Sequence, residues 1–246
     1  MNIVRHRLEN VPFQPTPNKG GALSPRYLVL HYTAAGSFET SVNWFQNPQA
    51  RTSAHLVVGR GGELVQMVPF NRQAFHAGRS RWTTPDGETL ERLNAHTLGI
   101  ELANWGRLRE VGGRYVSWAG TVLEPERVVT AQHKGELTPA FWESYPAAQL
   151  DALVNASVAL VRKYNLEGIL GHDDIAPGRK SDPGPAFPLR DFTDRVMGQA
   201  EDFDDWVDDQ GYIEVDEHYH QGERMGTTVV RLVYNAASGT RKLFTR

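Results

Sequence analysis

Residues 171–188 read GHDDIAPGRKSDPGPAFP and follow the short apolar run 168–170. The stretch holds one histidine, three aspartates, two basic residues and four prolines. Proline has no amide hydrogen and fixes its own φ, so this stretch cannot continue as a helix or an inner strand. We therefore predict a rigid, irregular loop at the end of a buried strand, a usual place for an active site. The predicted site is a metal ion bound by His172 and Asp182, with Lys180 beside it.

A second histidine follows another predicted strand. Residues 26–30 read RYLVL and lead into His31. A continuously apolar run is typical of a strand buried on both faces, and such sheets commonly open their sites at strand ends. Taken alone, His31 could equally be a core histidine with a hydrogen-bond partner. The chain contains no cysteine, so a metal ion would have to be bound by histidine and carboxylate.

Glu101 lies inside a third predicted strand, which spans residues 98–104. A carboxylate in an apolar strand is costly to bury unless it is paired or bound to something. Glu101 is therefore a better functional candidate than the surface acids, and the alternative is a structural salt bridge. On the predicted strand 54–58, His55 is interpreted as a buried structural histidine.

The remaining pattern predicts helices and hairpins around these strands. Ser37 is typical of a helix N-cap, and apolar residues recur at helical spacing from residue 146 to 165. Gly61-Gly62 indicates a hairpin turn. The long connection 105–145 is predicted to contain a hairpin around Gly112-Gly113 and to form a lid or a groove wall.

Length and composition predict one main domain with a small appendage. The expected division is an extended N-terminal arm (1–25), a main domain (26–197) and a C-terminal appendage (198–246). Within the appendage, residues 201–217 carry nine acids and no base, which a solvated acidic face explains. A strand at 227–234 and a segment pairing back after Gly239 predict a small β-hairpin.

The charge balance and the N-terminus limit the partners and the compartment. With 26 basic and 29 acidic residues, the formal net charge is −3, so we expect no nucleic-acid partner. The first residues contain no apolar stretch of signal-peptide length, and no run is long enough to span a bilayer. The expected location is the cytoplasm, with signal-independent export or phage-mediated release left open. The oligomeric state is not indicated.

Five motifs occur in a fixed order along the chain: H-Y-T (31–33), S-A-H (53–55), H-A-G (76–78), N-x4-G-I-E-L (94–102) and G-H-x-D-I-A-P-G-R-K-x-D-P-G-P (171–185). This constellation resembles the zinc-dependent N-acetylmuramoyl-L-alanine amidases. It is most similar to the AmpD branch of the type 2 amidase and peptidoglycan-recognition-protein superfamily. The resemblance runs from about residue 27 to 189. It implies an α/β (α+β) fold with a mixed central sheet flanked by helices.

The resemblance also implies roles for individual residues. It makes His31, His172 and Asp182 the ligands of Zn²⁺, and it places Glu101 and Lys180 in the catalytic positions. It further places three residues along the substrate groove: His76, Asn94 and Arg92. The implied reaction is hydrolysis of the amide between the lactyl group of N-acetylmuramic acid and L-alanine, in muropeptides or peptidoglycan.

Two other functions remain open at this point. A peptidoglycan-binding module of the same superfamily would lack a complete ligand set, whereas both histidines, the aspartate and Glu101 are present here. A different zinc hydrolase, such as a peptidase, is disfavoured because the chain lacks an H-E-x-x-H helix. The substrate is either soluble anhydro-muropeptide in a recycling role or intact wall in a lytic role. The acidic appendage favours recycling, because a lysin is expected to carry a basic wall-binding segment.

Overall fold

The computed structural model describes residues 1–201, 213–220, 223–235 and 240–245, with side chains as far as residue 200. The chain divides into two compact units, Met1–Ala200 and Glu201–Arg246. Within the described ranges, no helix combines the length and the apolar character needed to cross a membrane.

The secondary structure is rich in short strands. In chain order, the strands are β1 (Ile3–Val4), β2 (Arg7–Leu8), β3 (Lys19–Ala22), β4 (Tyr27–Tyr32), β5 (Leu56–Val58), β6 (Leu64–Gln66), β7 (Arg72–Ala74), β8 (Arg81–Thr83), β9 (Thr89–Glu91), β10 (Thr97–Leu102), β11 (Arg107–Val111), β12 (Arg114–Val116), β13 (Val122–Leu123), β14 (Val128–Ala131), β15 (Ala140–Glu143), β16 (Gly168–Gly171), β17 (Ile213–His220), β18 (Glu223–Asn235) and β19 (Thr240–Thr245). The α-helices are α1 (Phe38–Gln46), α2 (Ala147–Tyr164), α3 (His172–Ile175) and α4 (Leu189–Glu201), and short 3-10 helices span Pro48–Ala50, Leu93–Ala95 and Pro125–Arg127.

The central sheet of the first unit has the strand order β16–β4–β10–β5–β6. The pairs β16–β4, β4–β10 and β10–β5 are parallel, and β6 returns antiparallel to β5. The predicted mixed central sheet with flanking helices is therefore confirmed.

The two faces of this sheet have different roles. Side chains alternate between faces along a strand. Leu28 and Leu30 of β4 join the main core cluster, which also contains buried residues of α2 and α4. His31 lies on the opposite face and is paired in register with Glu101 of the neighbouring parallel strand. The alternation thus brings an imidazole and a carboxylate together near the carboxyl ends of two adjacent strands.

The predicted helices form with the expected caps. Ser37 Oγ accepts a hydrogen bond from Thr40 N at 3.1 Å at the start of α1. Helix α2 ends at Asn165, which adopts a left-handed conformation with φ of 51°. Helix α4 was not predicted.

The first 25 residues differ from the predicted surface arm. Leu8 and Leu23 are buried in the main core cluster. Asn18 is also buried, and its side-chain amide donates to the carbonyl of Phe45 at 3.1 Å. This segment is part of the compact first unit, although most of its residues are exposed.

Residues 105–145, hereafter the insertion, form a second sheet with the order β13–β12–β11–β15–β14. The predicted hairpin around Gly112-Gly113 is formed by β11 and β12. Two side chains of the insertion contact Asp173, the residue after His172. Nε2 of His133 lies 2.9 Å from Oδ2 of Asp173, and Nζ of Lys134 lies 3.0 Å from its Oδ1.

The second unit contains an antiparallel sheet with the order β17–β18–β19. The predicted strand 227–234 lies within β18, and the segment predicted to pair back forms β19. Most of the acidic run falls at 202–212, and this part and Gly239 lie outside the described residues.

Candidate metal centre and active site

Three side chains converge at the end of the central sheet. Nδ1 of His31 lies 2.8 Å from Nδ1 of His172 and 3.0 Å from Oδ2 of Asp182. The third side of the triangle, from His172 Nδ1 to Asp182 Oδ2, is 2.8 Å. All three residues are buried, and they form a group that can hold a metal ion.

The segment 172–182 begins with the short helix α3, where the sequence predicts an irregular loop. It then folds back as predicted, so that residues ten positions apart meet. The amide of Asp173 donates to the carbonyl of Asp182 at 2.9 Å and closes the loop. At its start, the Gly171 amide donates to Oδ2 of Asp174 at 2.6 Å. Asp173 and Asp174 are thus used to shape and anchor the loop.

The partners of His172 assign its tautomer. Its Nε2 faces the carbonyl oxygen of Ala77 at 3.2 Å. A carbonyl can only accept, so Nε2 carries the proton in the neutral ring and Nδ1 presents a lone pair.

A chain of hydrogen bonds assigns the tautomer of His31 in the same way. Thr97 Oγ1 donates to the Leu93 carbonyl at 2.7 Å and therefore accepts from Nε2 of His76, 3.1 Å away. Nδ1 of His76 then accepts from Nε2 of His31 at 2.9 Å. His31 consequently also presents its Nδ1 lone pair to the triangle. We name the side chains of His76 and Thr97 the relay.

Burial keeps the rings of His31 and His76 neutral. Burial, and then the neighbouring ring of His172, lowers the pKa of His31 to about 4. Burial and the nearby histidines also lower the pKa of His76 well below its ordinary value.

The donor set therefore fits a cation. Two imidazole lone pairs and a carboxylate oxygen face one another within 3.0 Å, with no proton between them in these tautomers. Like partial charges this close repel unless a positive ion lies among them. Two histidines and one carboxylate are a known ligand set of catalytic zinc, and the outer N–H of each ring bonded to an acceptor is typical of metal ligands.

Gly99 makes room for the relay. The residue lies on β10 beneath the ring of His76, and a Cβ added there would lie 2.4 Å from Cγ of that ring. Any larger residue would push His76 away from His31.

Glu101 faces the cavity next to the triangle. Its carboxyl oxygen Oε2 is buried and has no hydrogen-bond partner within residues 1–200. Burial, and then the charge of Asp182, raises the pKa of Glu101 to about 8, while the charge of Lys180 opposes that rise. An unpaired carboxyl with a pKa near neutrality can both accept and donate a proton. Glu101 has no salt-bridge partner within residues 1–200, so the structure does not support the alternative of a structural salt bridge.

A cavity of about 350 Å³ opens over the triangle. Lys180, which is exposed, lines it together with Glu101, His172 and Asp182. Arg179 and Lys180 also line an adjoining depression that contains Asn94. The positive charge of Lys180 is therefore available to a molecule bound in the cavity.

The three expected groove residues are placed differently from one another. His76 lies behind His31 with both ring nitrogens hydrogen-bonded, and it also lines the cavity and the adjoining depression. Asn94 Oδ1 accepts from the amides of His76 and Ala77 at 3.0 and 2.7 Å, which fixes the H-A-G segment. Arg92 is exposed and lines a further depression with Arg79 and other residues.

His55 has the predicted structural role. Its Nδ1 accepts from the amide of Gly99 at 3.0 Å, and its Nε2 donates to the Arg72 carbonyl at 2.9 Å. The relay residue Thr97 was not predicted from the sequence, because a threonine at the start of a strand carries no signal of its partner. The sequence near His133 and Lys134 likewise carries no signal of their contact with Asp173.

The chain is similar to characterised amidases. The N-acetylmuramoyl-L-alanine amidase family profile matches residues 21–185. N-acetylmuramoyl-L-alanine amidase AmiD of Escherichia coli is 31% identical over 194 residues, which cover 74% of this chain and 58% of that protein. The 1,6-anhydro-N-acetylmuramyl-L-alanine amidase AmpD of E. coli is 31% identical over 195 residues, covering 72% of this chain and 85% of that protein. The chain thus spans more than half of AmiD and most of AmpD.

Solved structures of such amidases share the fold of this chain. A crystal structure of AmpD superposes with a TM-score of 0.50 at 25% identity and covers 81% of this chain and 99% of that chain. E. coli AmiD, solved with the substrate anhydro-N-acetylmuramic acid-L-Ala-D-γ-Glu-L-Lys, gives a TM-score of 0.52 at 25% identity, with 83% and 64% covered. Sequence, fold and the motif residues gathered around the triangle agree, and the chain belongs to the N-acetylmuramoyl-L-alanine amidase family.

Proposed function

We propose that this protein is a zinc-dependent amidase that hydrolyses the bond between the lactyl group of N-acetylmuramic acid and L-alanine in muropeptides or peptidoglycan. The observation that carries the proposal is the convergence of His31 Nδ1, His172 Nδ1 and Asp182 Oδ2 beside the unpaired carboxyl of Glu101. Membership of the amidase family supports the same reaction.

Zinc is the metal that the proposal assigns to His31, His172 and Asp182. The same ligand set also serves iron(II) in oxygenases, so the family resemblance supports the choice of zinc. When bound, the ion supplies Lewis-acid polarisation of the scissile carbonyl and lowers the pKa of water.

The protein's own side chains handle the protons and the charge. Oε2 of Glu101 accepts a proton from the attacking water and passes it to the nitrogen of the leaving L-alanine. Glu101 must be ionised to accept that proton, and a cation held by the neighbouring ligands would lower its pKa from the metal-free value of about 8. The ammonium group of Lys180 stabilises negative charge that develops on the carbonyl oxygen. The relay holds His31 in the tautomer that binds metal.

The surroundings of the cavity support an acidic peptide as the other half of the substrate. Arg179 lines the cavity and two depressions, one with Arg51 and one with Arg79 and Arg92. Lys180 lines the cavity and the depression with Arg51. The stem peptide bound by AmiD, L-Ala-D-γ-Glu-L-Lys, carries carboxylates that such a basic surface attracts.

Incubation of the purified protein with a soluble muramyl peptide tests the proposal. Mass spectrometry is expected to detect the free peptide with an L-alanine N-terminus, and chelation followed by added zinc is expected to abolish and restore its release. Glu101→Gln is expected to keep stoichiometric zinc and lose turnover. Zinc binding and substrate retention without any peptide release by the wild type would instead identify a peptidoglycan-binding module.

A further inference from the structure

Trp118 is an exposed indole held in a fixed position. It lies between β12 and β13 of the insertion, and 67% of its surface is exposed. Its Nε1–H donates to the carbonyl of Ala34 at 2.7 Å. Its ring also meets Trp105 edge to face, with 6.4 Å between the centroids and 73° between the planes. The polar edge of Trp118 is thus satisfied while most of its apolar surface faces solvent.

This indole adjoins the wall of the catalytic cavity. Ala34, which accepts the hydrogen bond, lines the cavity together with Thr33 and Trp44. Ala34 has a φ of 53°, and Trp105 packs so closely on Gly36 that a Cβ there would lie 2.3 Å from the indole. The insertion therefore holds the loop between β4 and α1, and Trp118 is bound to a residue of the cavity wall.

An exposed and immobilised indole requires a physical explanation. Leaving this much apolar surface in water forgoes hydrophobic stabilisation, and an exposed apolar surface next to a cavity is typical of a binding site. Fixing the ring before binding reduces the entropy lost on association. The apolar face of an indole fits the C–H face of a sugar ring, and in the proposed substrate the scissile amide is attached to a sugar.

We propose that Trp118 forms a subsite for a sugar beyond the N-acetylmuramic acid at which cleavage occurs. The subsite favours glycan chains of two or more sugars over single-sugar muropeptides. This inference rests on the proposed amidase function. It assigns the insertion a part in substrate choice, because the insertion supplies the indole and holds it against Ala34.

The experiment uses soluble substrates with one, two or four sugars and the same stem peptide. The quantity compared is the ratio of kcat/KM for the four-sugar substrate to that for the one-sugar substrate. Trp118→Ala is expected to lower this ratio about three- to ten-fold, the range of a lost aromatic contact. Trp118→Phe, which keeps an aromatic face, is expected to lower it less. Val111→Ala removes exposed apolar surface from β11 of the same sheet and is expected to leave the ratio unchanged.

Circular dichroism and metal content of each variant establish that the fold is intact. An unchanged ratio in Trp118→Ala would overturn the inference, and so would an equal loss on the one-sugar and four-sugar substrates. If the wild type released no peptide from any substrate, the proposed function itself would fail, which is a different result from either of these.

Discussion

Replacing Glu101 by glutamine is expected to change how the stability of the metal-free protein depends on pH. The pKa of Glu101 is about 8 in the folded protein, against an ordinary value of 4.5. The folded state therefore holds this proton more tightly than the unfolded state. Its stabilising contribution is complete below about pH 4.5 and is lost as the pH rises towards 8 and the carboxylate must ionise in its buried position.

The size of the effect follows from proton linkage. With 1.36 kcal/mol for each unit of pKa difference, the wild type loses roughly 4 kcal/mol of unfolding free energy between pH 5 and pH 9 through this group alone. Glu101→Gln has no proton to lose at this position. Its stability relative to the wild type should therefore rise by about the same amount over that range, because groups that do not interact with Glu101 titrate alike in both proteins.

Urea unfolding of both proteins at pH 5, 7 and 9, after removal of metal by chelation, measures this difference. Most of the change is expected by pH 7. A difference in unfolding free energy that stays constant from pH 5 to pH 9 would show that Glu101 is solvated in the folded protein. The reasoning that assigns it as a buried proton carrier would then be refuted.

Three further outcomes follow from the same geometry. His76→Ala is expected to weaken zinc binding roughly 10- to 100-fold, measured in competition with a chelator, because His31 loses the partner that fixes its tautomer. The control variant is His6→Ala. Equal zinc affinity in the two variants would contradict the role assigned to the relay. Lys180→Ala is expected to lower kcat about 100-fold or more at unchanged zinc content, and wild-type turnover would remove Lys180 from the mechanism. Asp173→Asn weakens the contacts of Asp173 with His133 and Lys134 and should speed amide hydrogen exchange in β14 and β15. Unchanged amide protection in these strands would show that other contacts hold the insertion.

The strands and the converging residues could be predicted from the sequence because each has a local signal. His31 and His172 follow short apolar runs, and the prolines and glycines after His172 indicate a loop that returns. The alternation of side chains along parallel strands then brings Glu101 beside His31. The strands, the returning loop and the side-chain alternation each depend on residues that are close in the sequence, so the local sequence pattern predicts them.

Other features depend on partners that are distant in the sequence. Nothing near His76 indicates that its ring bonds to His31, 45 residues earlier. Leu8 joins the core from a proline-rich segment that has no periodicity. Helix α4, by contrast, has a local signal, because Leu189, Phe192 and Val196 recur at helical spacing among charged residues.

The central claim is that one zinc ion is bound by His31, His172 and Asp182. Anomalous diffraction at the zinc edge from crystals of the zinc-loaded protein tests it most directly. The expected result is a single strong peak within bonding distance of Nδ1 of both rings and Oδ2 of the aspartate, since both Nε2 atoms already donate to other acceptors. A peak bound through Nε2, or a peak away from these three residues, would contradict the account.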